Sequence, residues 1–256
     1  MSFREEDLTL AGKAERLVFH PKTIIILEKI IIAIDGHSSC GKSTLAKQLG
    51  DALGYTYIST GDMYRAVTLY FIENKVDIDN LEQVREALKH IHIEFKNDGS
   101  GTRIFLNGRD VQDEIRRMYV AEMVSYVAAI PEVRRAMVEQ QRAIGKNKGV
   151  VMDGRDIGTV VFPDAELKIF LTADTDTRAR RRFEELKAKG YEADFEEVKR
   201  NLTERDEIDS TRADSPLKKA DDAIVIDNTN LDFDQQLKLA LELVREKTGA
   251  SHSTSH

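Results

Sequence analysis

One motif constrains this chain more than any other feature. Residues 36–43, Gly-His-Ser-Ser-Cys-Gly-Lys-Ser, match the pattern G-x-x-x-x-G-K-[ST] without a gap. Residues 29–35 before it are typical of a short buried strand, and residues 44–53 after it carry apolar side chains at helical spacing. This strand–loop–helix context distinguishes a phosphate-binding loop from a chance match in an ordinary turn. The sequence therefore predicts a site for a nucleoside triphosphate.

Each part of the loop has a physical role in holding phosphate. Gly36 and Gly41 permit a tight backbone in which successive N–H groups point at one anion. The helix predicted to begin at Lys42 adds the partial positive charge of its N-terminus. Lys42 can reach the β- and γ-phosphates, and the Ser43 hydroxyl can bind Mg²⁺. The residues predicted to bind ATP here are Gly36, His37, Ser38, Ser39, Cys40, Gly41, Lys42, Ser43 and Thr44.

The composition limits the class of protein. Of the 256 residues, 41% are hydrophobic and 32% are charged, which is enough for a buried core beneath a polar surface. The net charge of −7 gives no support to a general nucleic-acid-binding role. The single cysteine, Cys40, excludes an internal disulfide and fits a reducing cytosol. No stretch is apolar for the roughly 20 residues that a membrane helix needs, so we expect a cytoplasmic protein without a membrane partner.

Strands and helices alternate along most of the chain. Strand-like apolar segments begin near residues 30, 55, 149, 167 and 223, and residues 113–143 are expected to be helical with a break at Pro131. Alternation of this kind favours a parallel sheet covered by helices. Residues 91–107 differ, since an alternating apolar–polar run and the Asn107-Gly108 turn signal predict a small antiparallel insert. The expected fold class is α/β: a three-layer P-loop NTPase fold with a five-stranded parallel sheet, helices on both faces, an antiparallel β insert and a helical lid.

Two classes of protein compete for such a loop: kinases with a small acceptor, and nucleotide-dependent switches. Residues 74–77, Asn-Lys-Val-Asp, match the guanine-reading pattern N-K-x-D, and residues 51–54 match D-x-x-G. The first pattern follows a helix with no strand to present it. The second ends the helix of the phosphate loop itself, too far along it to sense a γ-phosphate. Their positions therefore disfavour a switch.

Polar segments that follow the predicted strands favour a kinase. Residues 60–65, Thr-Gly-Asp-Met-Tyr-Arg, follow the second strand, and residues 153–159, Asp-Gly-Arg-Asp-Ile-Gly-Thr, follow the third. The carboxyl ends of parallel strands share one edge of a sheet, so both segments lie on the edge of the phosphate loop. A planar guanidinium binds phosphate bidentately. Arginines at this edge therefore favour an acceptor that is itself a nucleotide.

Several motifs together resemble the bacterial cytidylate kinases, P-loop nucleoside-monophosphate kinases that phosphorylate CMP and dCMP. The motifs are residues 36–43, 60–65, 127–134, 153–165 and 204–212. The resemblance extends from about Lys29 to Lys247, and residues 91–107 resemble the extra sheet of the family's monophosphate-binding region. It implies transfer of the γ-phosphoryl group of ATP to CMP or dCMP, with Mg²⁺ as cofactor and a monomer as the assembly.

The resemblance also implies roles for individual residues. The phosphate of the acceptor would contact Thr60, Arg65, Arg155 and Arg212. Cytosine would contact Ser125, Arg134 and Asp156. The sugar would contact Arg205 and Asp209.

The assignment for the base is chemically consistent. Cytosine presents an N4 amino donor, which the Asp156 carboxylate can accept, while Arg134 can donate to N3 or O2. Uracil reverses the pattern at N3 and at position 4, so both buried partners would be mismatched at a cost of about 1–3 kcal/mol for each unsatisfied group. That cost corresponds to a roughly tenfold to hundredfold preference per group.

A basic helix resembles the lid that closes over ATP in these kinases. Its arginines are Arg178, Arg180, Arg181 and Arg182. The resemblance implies that Arg181 binds ATP and stabilises charge on the transferring phosphoryl group, so the implied catalytic residues are Lys42, Arg155 and Arg181. Glu184 and Glu185 leave open the alternative of a salt-bridged surface helix.

The domain organisation follows from the extent of the resemblance. A kinase domain at 29–248 would contain the monophosphate-binding insert at about 60–145 and the lid at about 175–192. Residues 1–28 are expected to be an N-terminal extension without a signal peptide. For residues 1–22 three alternatives stay open: an added helix, a disordered tail, or a wrongly chosen upstream start codon. Residues 249–256 are expected to be a tail that is frayed over its last six residues. Two alternatives stay open: a P-loop kinase with another small acceptor, and a switch that transfers no phosphate.

Overall fold

The computed structural model describes residues 16–20, 23–97 and 102–249 of the chain. Its strands are β1 (Arg16–His20), β2 (Thr23–Leu27), β3 (Ile31–Asp35), β4 (Thr56–Ser59), β5 (Ile93–Asn97), β6 (Thr102–Leu106), β7 (Arg109–Asp110), β8 (Val150–Gly154), β9 (Leu167–Thr172) and β10 (Ile224–Asp227). Its α-helices are α1 (Lys42–Leu53), α2 (Thr60–Glu73), α3 (Leu81–Lys89), α4 (Met118–Ala129), α5 (Pro131–Gly145), α6 (Thr175–Ala188), α7 (Phe195–Thr211) and α8 (Phe233–Lys247). Two shorter elements are a 3₁₀ turn at Glu114–Arg116 and a π-helical turn at Ile157–Val161.

The central sheet is the predicted five-stranded parallel sheet. Its strand order is β10-β9-β3-β8-β4, and every neighbouring pair is parallel. The middle strand β3 is buried on both faces, which explains its continuous apolar sequence. Asp35 pairs with Gly154, and Ser59 pairs with Asp153, so β3, β4 and β8 end at one edge of the sheet. The loop and the polar segments that follow these strands therefore lie side by side.

Helices cover both faces of this sheet and complete the three predicted layers. On one face, Ile32 and Ile34 pack in a cluster with the buried residues of α1 and α8. On the other face, Ala33 and Met152 belong to the cluster formed with α2, α4 and α5. The break at Pro131 is confirmed, since α5 begins with this proline, whose missing N–H costs nothing in the first turn. Among the described residues, no helix is both long enough and apolar enough to cross a membrane.

The predicted antiparallel insert is also present. β5 pairs with β6, with Ile93 opposite Leu106, and β6 pairs with β7. Asn107 and Gly108 connect β6 to β7 with φ values of 50° and 81°, the left-handed conformations that make Asn-Gly a hairpin signal. Ile93 and Leu106 are buried in the same cluster as α2, so the insert extends the core on the α2 face.

The N-terminal extension differs from the sequence-based expectation. β1 and β2 form an antiparallel pair, with Arg16 opposite Leu27, whereas the sequence analysis predicted no strand in residues 1–28. The β-branched run at 24–26 favours a strand, but no apolar–polar alternation marks the segment. Residues 1–15, 21–22 and 250–256 lie outside the described residues, and the expectations for them stay predictions.

Candidate active site

A cleft of about 290 Å³ lies at the carboxyl edge of the central sheet. It occupies the position where parallel α/β sheets bind ligands, beyond the ends of β3, β4 and β8. Four residues of the phosphate loop line it: Ser38, Ser39, Lys42 and Ser43. Every residue predicted to hold CMP lines it as well: Thr60, Arg65, Ser125, Arg134, Arg155, Asp156, Arg205, Asp209 and Arg212. The chain therefore brings the two predicted halves of the site into one cleft.

The phosphate loop connects β3 directly to α1, as predicted. Gly36 has a φ of 149°, and a Cβ at this position would lie 2.0 Å from the carbonyl oxygen of Leu171, so no other residue fits. Gly41 has a φ of 91° and precedes Lys42, the first residue of α1. Lys42 is buried, donates to the carbonyl oxygen of His37 at 2.5 Å, and has its pKa lowered chiefly by burial. A buried ammonium beside the loop is poised to compensate the negative charge of a phosphate.

Asn228, the residue after β10, holds the phosphate loop by a hydrogen bond, a role that the sequence did not indicate. Asn228 is fully buried, and its Nδ2 donates to the carbonyl oxygen of Cys40 at 2.7 Å and to Gln236 Oε1 at 2.8 Å. Its own carbonyl and side-chain oxygens accept hydrogen bonds of 2.9 and 3.0 Å from Arg181. The sequence shows an Asn directly after a predicted strand, but nothing in it connects residue 228 to residue 40.

Asp153 links the loop serine to β4 and was also missed by the sequence analysis. Its carboxylate accepts hydrogen bonds from Ser43 Oγ at 3.0 Å and from the Tyr57 hydroxyl at 2.9 Å. Its carbonyl oxygen accepts a hydrogen bond of 2.8 Å from Thr60. Burial raises the pKa of Asp153, while Lys42 opposes this rise. The sequence shows an acidic residue near the end of the strand that becomes β8. Its contact with Ser43 appears only in the structure.

Hydroxyl and carboxylate oxygens are the ligands that Mg²⁺ prefers, and Ser43 and Asp153 present both types together. Among the described residues, no group of three or more His, Cys, Asp or Glu side chains could hold a metal ion. Mg²⁺ often takes only one or two protein ligands and completes its coordination with phosphate oxygens and water. The donor set therefore fits a magnesium ion that arrives with a nucleotide.

Guanidinium groups concentrate among the residues that line the cleft. Arg155 donates to Ser38 Oγ at 2.7 Å and to Asp209 Oδ2 at 2.8 Å, so it joins the phosphate loop to α7. Burial, followed by the charges of Arg155 and Arg65, lowers the pKa of Arg205 to about 10. Burial likewise lowers the pKa of Arg65 and of Arg212. Crowded, partly desolvated cations of this kind are relieved by an anion, which is what a phosphate supplies.

A buried ion pair forms the inner end of the cleft. Arg134 is only 1% exposed, and its Nη2 donates to Asp156 Oδ2 at 2.5 Å. Its Nη1 donates to the carbonyl oxygen of Ala128 at 3.2 Å, and the guanidinium lies over the ring of Tyr64 at 5.5 Å. Within the described part of the chain, Arg134 Nε has no hydrogen-bond partner. A donor and an acceptor held rigidly side by side suit recognition of a planar polar group.

The four arginines of the basic helix α6 occupy different environments. Arg178 is buried and pairs with Asp206 of α7, and it also donates to the carbonyl oxygen of Ser38 at 3.2 Å. Arg181 binds Asn228 and does not line the cleft, whereas Arg182 lines it beside its ion-pair partner Glu185. Arg180 is exposed. The helix therefore contributes one anchor, one contact to the β10 loop and one cleft residue.

A phosphate loop at the carboxyl edge of a parallel sheet, in one cleft with several arginines, is the arrangement of a P-loop phosphotransferase with a small anionic acceptor. The family model for cytidylate kinase matches residues 32–246. A cytidylate kinase of Bacteroides thetaiotaomicron is 56% identical over 82% of this chain and 94% of its own. Those of Flavobacterium johnsoniae and Parabacteroides distasonis are 53% and 52% identical, covering 86% and 88% of this chain and 98% and 100% of their own. The chain belongs to the cytidylate kinase family.

Proposed function

We propose that this protein transfers the γ-phosphoryl group of ATP to CMP or dCMP, releasing ADP and CDP or dCDP. The observation that carries this proposal is the buried Arg134–Asp156 pair at the inner end of a cleft that begins at the phosphate loop. The loop supplies a site for the triphosphate, and the pair supplies a site for a base. The arginines between them provide for the acceptor's phosphate.

On the donor side, residues 36–44 would hold the phosphates of ATP. Lys42 would exchange its bond to the His37 carbonyl oxygen for phosphate oxygens, and Arg181 would contact ATP from the lid helix α6. Mg²⁺, when bound, neutralises charge on the phosphate oxygens. Ser43 and Asp153 would hold this ion, as their hydroxyl and carboxylate groups already lie in contact.

On the acceptor side, the phosphate would contact Thr60, Arg65, Arg155 and Arg212, and the sugar would contact Arg205 and Asp209. These residues turn the phosphate of CMP toward the loop. Transfer between two phosphates needs little covalent chemistry from the protein, so positioning and charge stabilisation by Lys42, Arg155 and Arg181 would provide most of the catalysis.

At the base, Asp156 would accept from the N4 amino group of cytosine, and Arg134 would donate to N3 or O2. Ser125 lines the same end of the cleft and would supply a further hydrogen bond. Because Arg134 and Asp156 are 1% and 5% exposed, a mismatched base would leave them without water to compensate. Closure of α6 over the nucleotides would exclude water and suppress ATP hydrolysis.

Three further parts of the proposal rest on the sequence and the family. The single buried Cys40 and the charge of −7 support a cytoplasmic enzyme without a nucleic-acid or membrane partner. The resemblance supports a monomer. The kinase domain would extend over 29–248, with the monophosphate-binding insert at about 60–145 and the lid at about 175–192.

The test is ADP release from ATP and Mg²⁺ with CMP, dCMP, UMP, AMP or GMP as the added acceptor. We expect CMP and dCMP to give the highest kcat/KM, exceeding that for UMP at least about tenfold, because each mismatched buried group costs about 1–3 kcal/mol. A lead for AMP or GMP would support the alternative of a P-loop kinase with another acceptor. No acceptor-dependent ADP release would support a switch and contradict the kinase.

A further inference from the structure

A buried carboxylate outside the cleft holds the segment that carries Asp156. Asp35 is the last residue of β3, is 5% exposed, and directly precedes Gly36 of the phosphate loop. Its Oδ1 accepts the backbone N–H of Ile157 at 2.8 Å, and its Oδ2 accepts that of Gly158 at 2.7 Å. Asp35 does not line the cleft, so any effect on the acceptor is indirect.

The segment held by Asp35 begins immediately after the proposed base-reading residue. The π-helical turn Ile157–Val161 starts there, and its first N–H groups have no acceptor within the turn itself. Asp35 supplies acceptors to two of them. On the other side, Gly154 pairs with Asp35 in the sheet. Arg155 and Asp156 are therefore held between two attachments to the same residue.

Packing leaves little freedom around these contacts. A Cβ on Gly158 would lie 3.1 Å from Lys168 Cδ and 3.4 Å from Asp35 Oδ2. Burial raises the pKa of Asp35 to about 6, whereas the two N–H groups oppose this rise. The charged groups that act on Asp35 are Asp156, which raises its pKa, and Lys42, which lowers it. The two hydrogen bonds and this packing therefore fix the start of the turn against the end of β3.

We propose that Asp35 is a positioning residue for recognition of the acceptor base, because it fixes Asp156 in register with the phosphate loop that begins one residue later. The proposal rests on the proposed function, in which Asp156 reads cytosine. Asp35 belongs to the β3 backbone that starts the donor site and binds the backbone that carries the acceptor site. Asp35 therefore connects the segment that would read the base to the start of the phosphate loop.

The experiment compares CMP and UMP as acceptors for the wild type and for Asp35→Asn. An amide of the same size accepts at one atom only and directs its NH₂ group at the other backbone N–H. We expect the KM for CMP to rise about tenfold and the CMP-over-UMP ratio of kcat/KM to fall about tenfold, as for one buried polar mismatch, with less than about a twofold change in the KM for ATP. Asp164→Asn, the same change at an exposed site shortly after the turn, should leave these values unchanged.

A second variant approaches the contact from the other side and serves if Asp35→Asn does not fold. Gly158→Ala adds a methyl group against Lys168 and Asp35, so the turn must shift and the ratio should fall about twofold to fivefold. If Asp35 only stabilises the fold, alanine in this helical turn would leave the ratio unchanged, and so would Asp35→Asn. An unchanged ratio in the folded variants overturns the proposal. A wild type without preference for CMP would instead overturn the proposed function itself.

Discussion

Asp153 contacts residues of both halves of the cleft. Its carboxylate holds Ser43 of the phosphate loop and the Tyr57 hydroxyl, and its carbonyl oxygen holds Thr60 of the proposed acceptor site. Burial raises the pKa of this carboxyl, and the charge of Lys42 opposes the rise. We therefore infer that Asp153 acts with Ser43 toward the metal bound to ATP.

A substitution of Asp153 should affect catalysis more than binding of the acceptor. We expect Asp153→Asn to lower kcat about a hundredfold or more, because stabilisation of phosphate charge is weakened, and to raise the Mg²⁺ concentration needed for half-maximal rate. Steady-state kinetics over a Mg²⁺ titration measure both quantities. Tyr57→Phe removes one hydrogen bond from the same carboxylate and should change kcat far less. Equal effects of the two variants would contradict a role for Asp153 at the metal.

At the scale of elements, α6 and α7 attach to the phosphate loop through one buried ion pair. Arg178 of α6 pairs with Asp206 of α7 and donates to the Ser38 carbonyl oxygen, while Asp206 accepts the Ser38 N–H at 3.1 Å. Arg178 also donates to the carbonyl oxygen of Ala173 at 3.1 Å. The first turns of α6 are therefore fixed to the phosphate loop, and the closure over ATP that we propose would have to come from its later turns.

Loss of this anchor should destabilise the protein strongly. Arg178→Ala would leave Asp206 mostly buried and unpaired, so the free energy of unfolding should fall by about 3–5 kcal/mol. The KM for ATP should rise as well, because the Ser38 carbonyl oxygen in the phosphate loop loses its hydrogen bond from Arg178. Urea denaturation provides the measurement, and Arg180→Ala on the exposed face of the same helix should stay within about 0.5 kcal/mol of the wild type. Similar losses in both variants would show that Arg178 is no anchor.

The basic helix also shows what helical spacing cannot reveal. Its sequence predicted a helix and a lid, but four arginines within five positions gave no indication of which face each would occupy. The neighbours decide this: Asp206 draws Arg178 inward, Asn228 binds Arg181, and Arg182 reaches the cleft. Those neighbours come from α7 and from the loop after β10, and such distant pairings leave no mark on a local pattern.

For the whole molecule, the sequence predicted most of the architecture because the sheet imposes strong local patterns. The five parallel strands are short apolar runs followed by polar segments, and the insert is marked by alternation and by Asn107-Gly108. The parallel strands end at one edge of the sheet, so the motifs that follow them lie close together. Asp35 and Asp153 were not identified because their partners, at Ile157 and Ser43, lie on other elements.

Stability should depend on pH through Asp35. Its pKa rises from 3.8 to about 6 because burial disfavours the charged form. The folded state therefore binds this proton more tightly than the unfolded chain, and the contribution of Asp35 to the free energy of unfolding falls by about 2 kcal/mol as pH rises from about 4 to about 7. Denaturation of the wild type and Asp35→Asn at both pH values isolates this contribution. The free energy of unfolding of Asp35→Asn, relative to that of the wild type, should be higher at pH 7 than at pH 4. A difference between the two proteins that does not change with pH would contradict the raised pKa of Asp35.

The proposed recognition of cytosine by Asp156 connects the fold, the cleft and the reaction, and it can be measured directly. The quantity is the ratio of kcat/KM for CMP to that for UMP, in the wild type and in Asp156→Ala, with Asp164→Ala as the matched exposed control. The wild type and the control should favour CMP at least about tenfold, and Asp156→Ala should bring the ratio close to one, mainly by loss of activity with CMP. A variant that keeps the wild-type ratio would contradict recognition of the base by the buried Arg134–Asp156 pair.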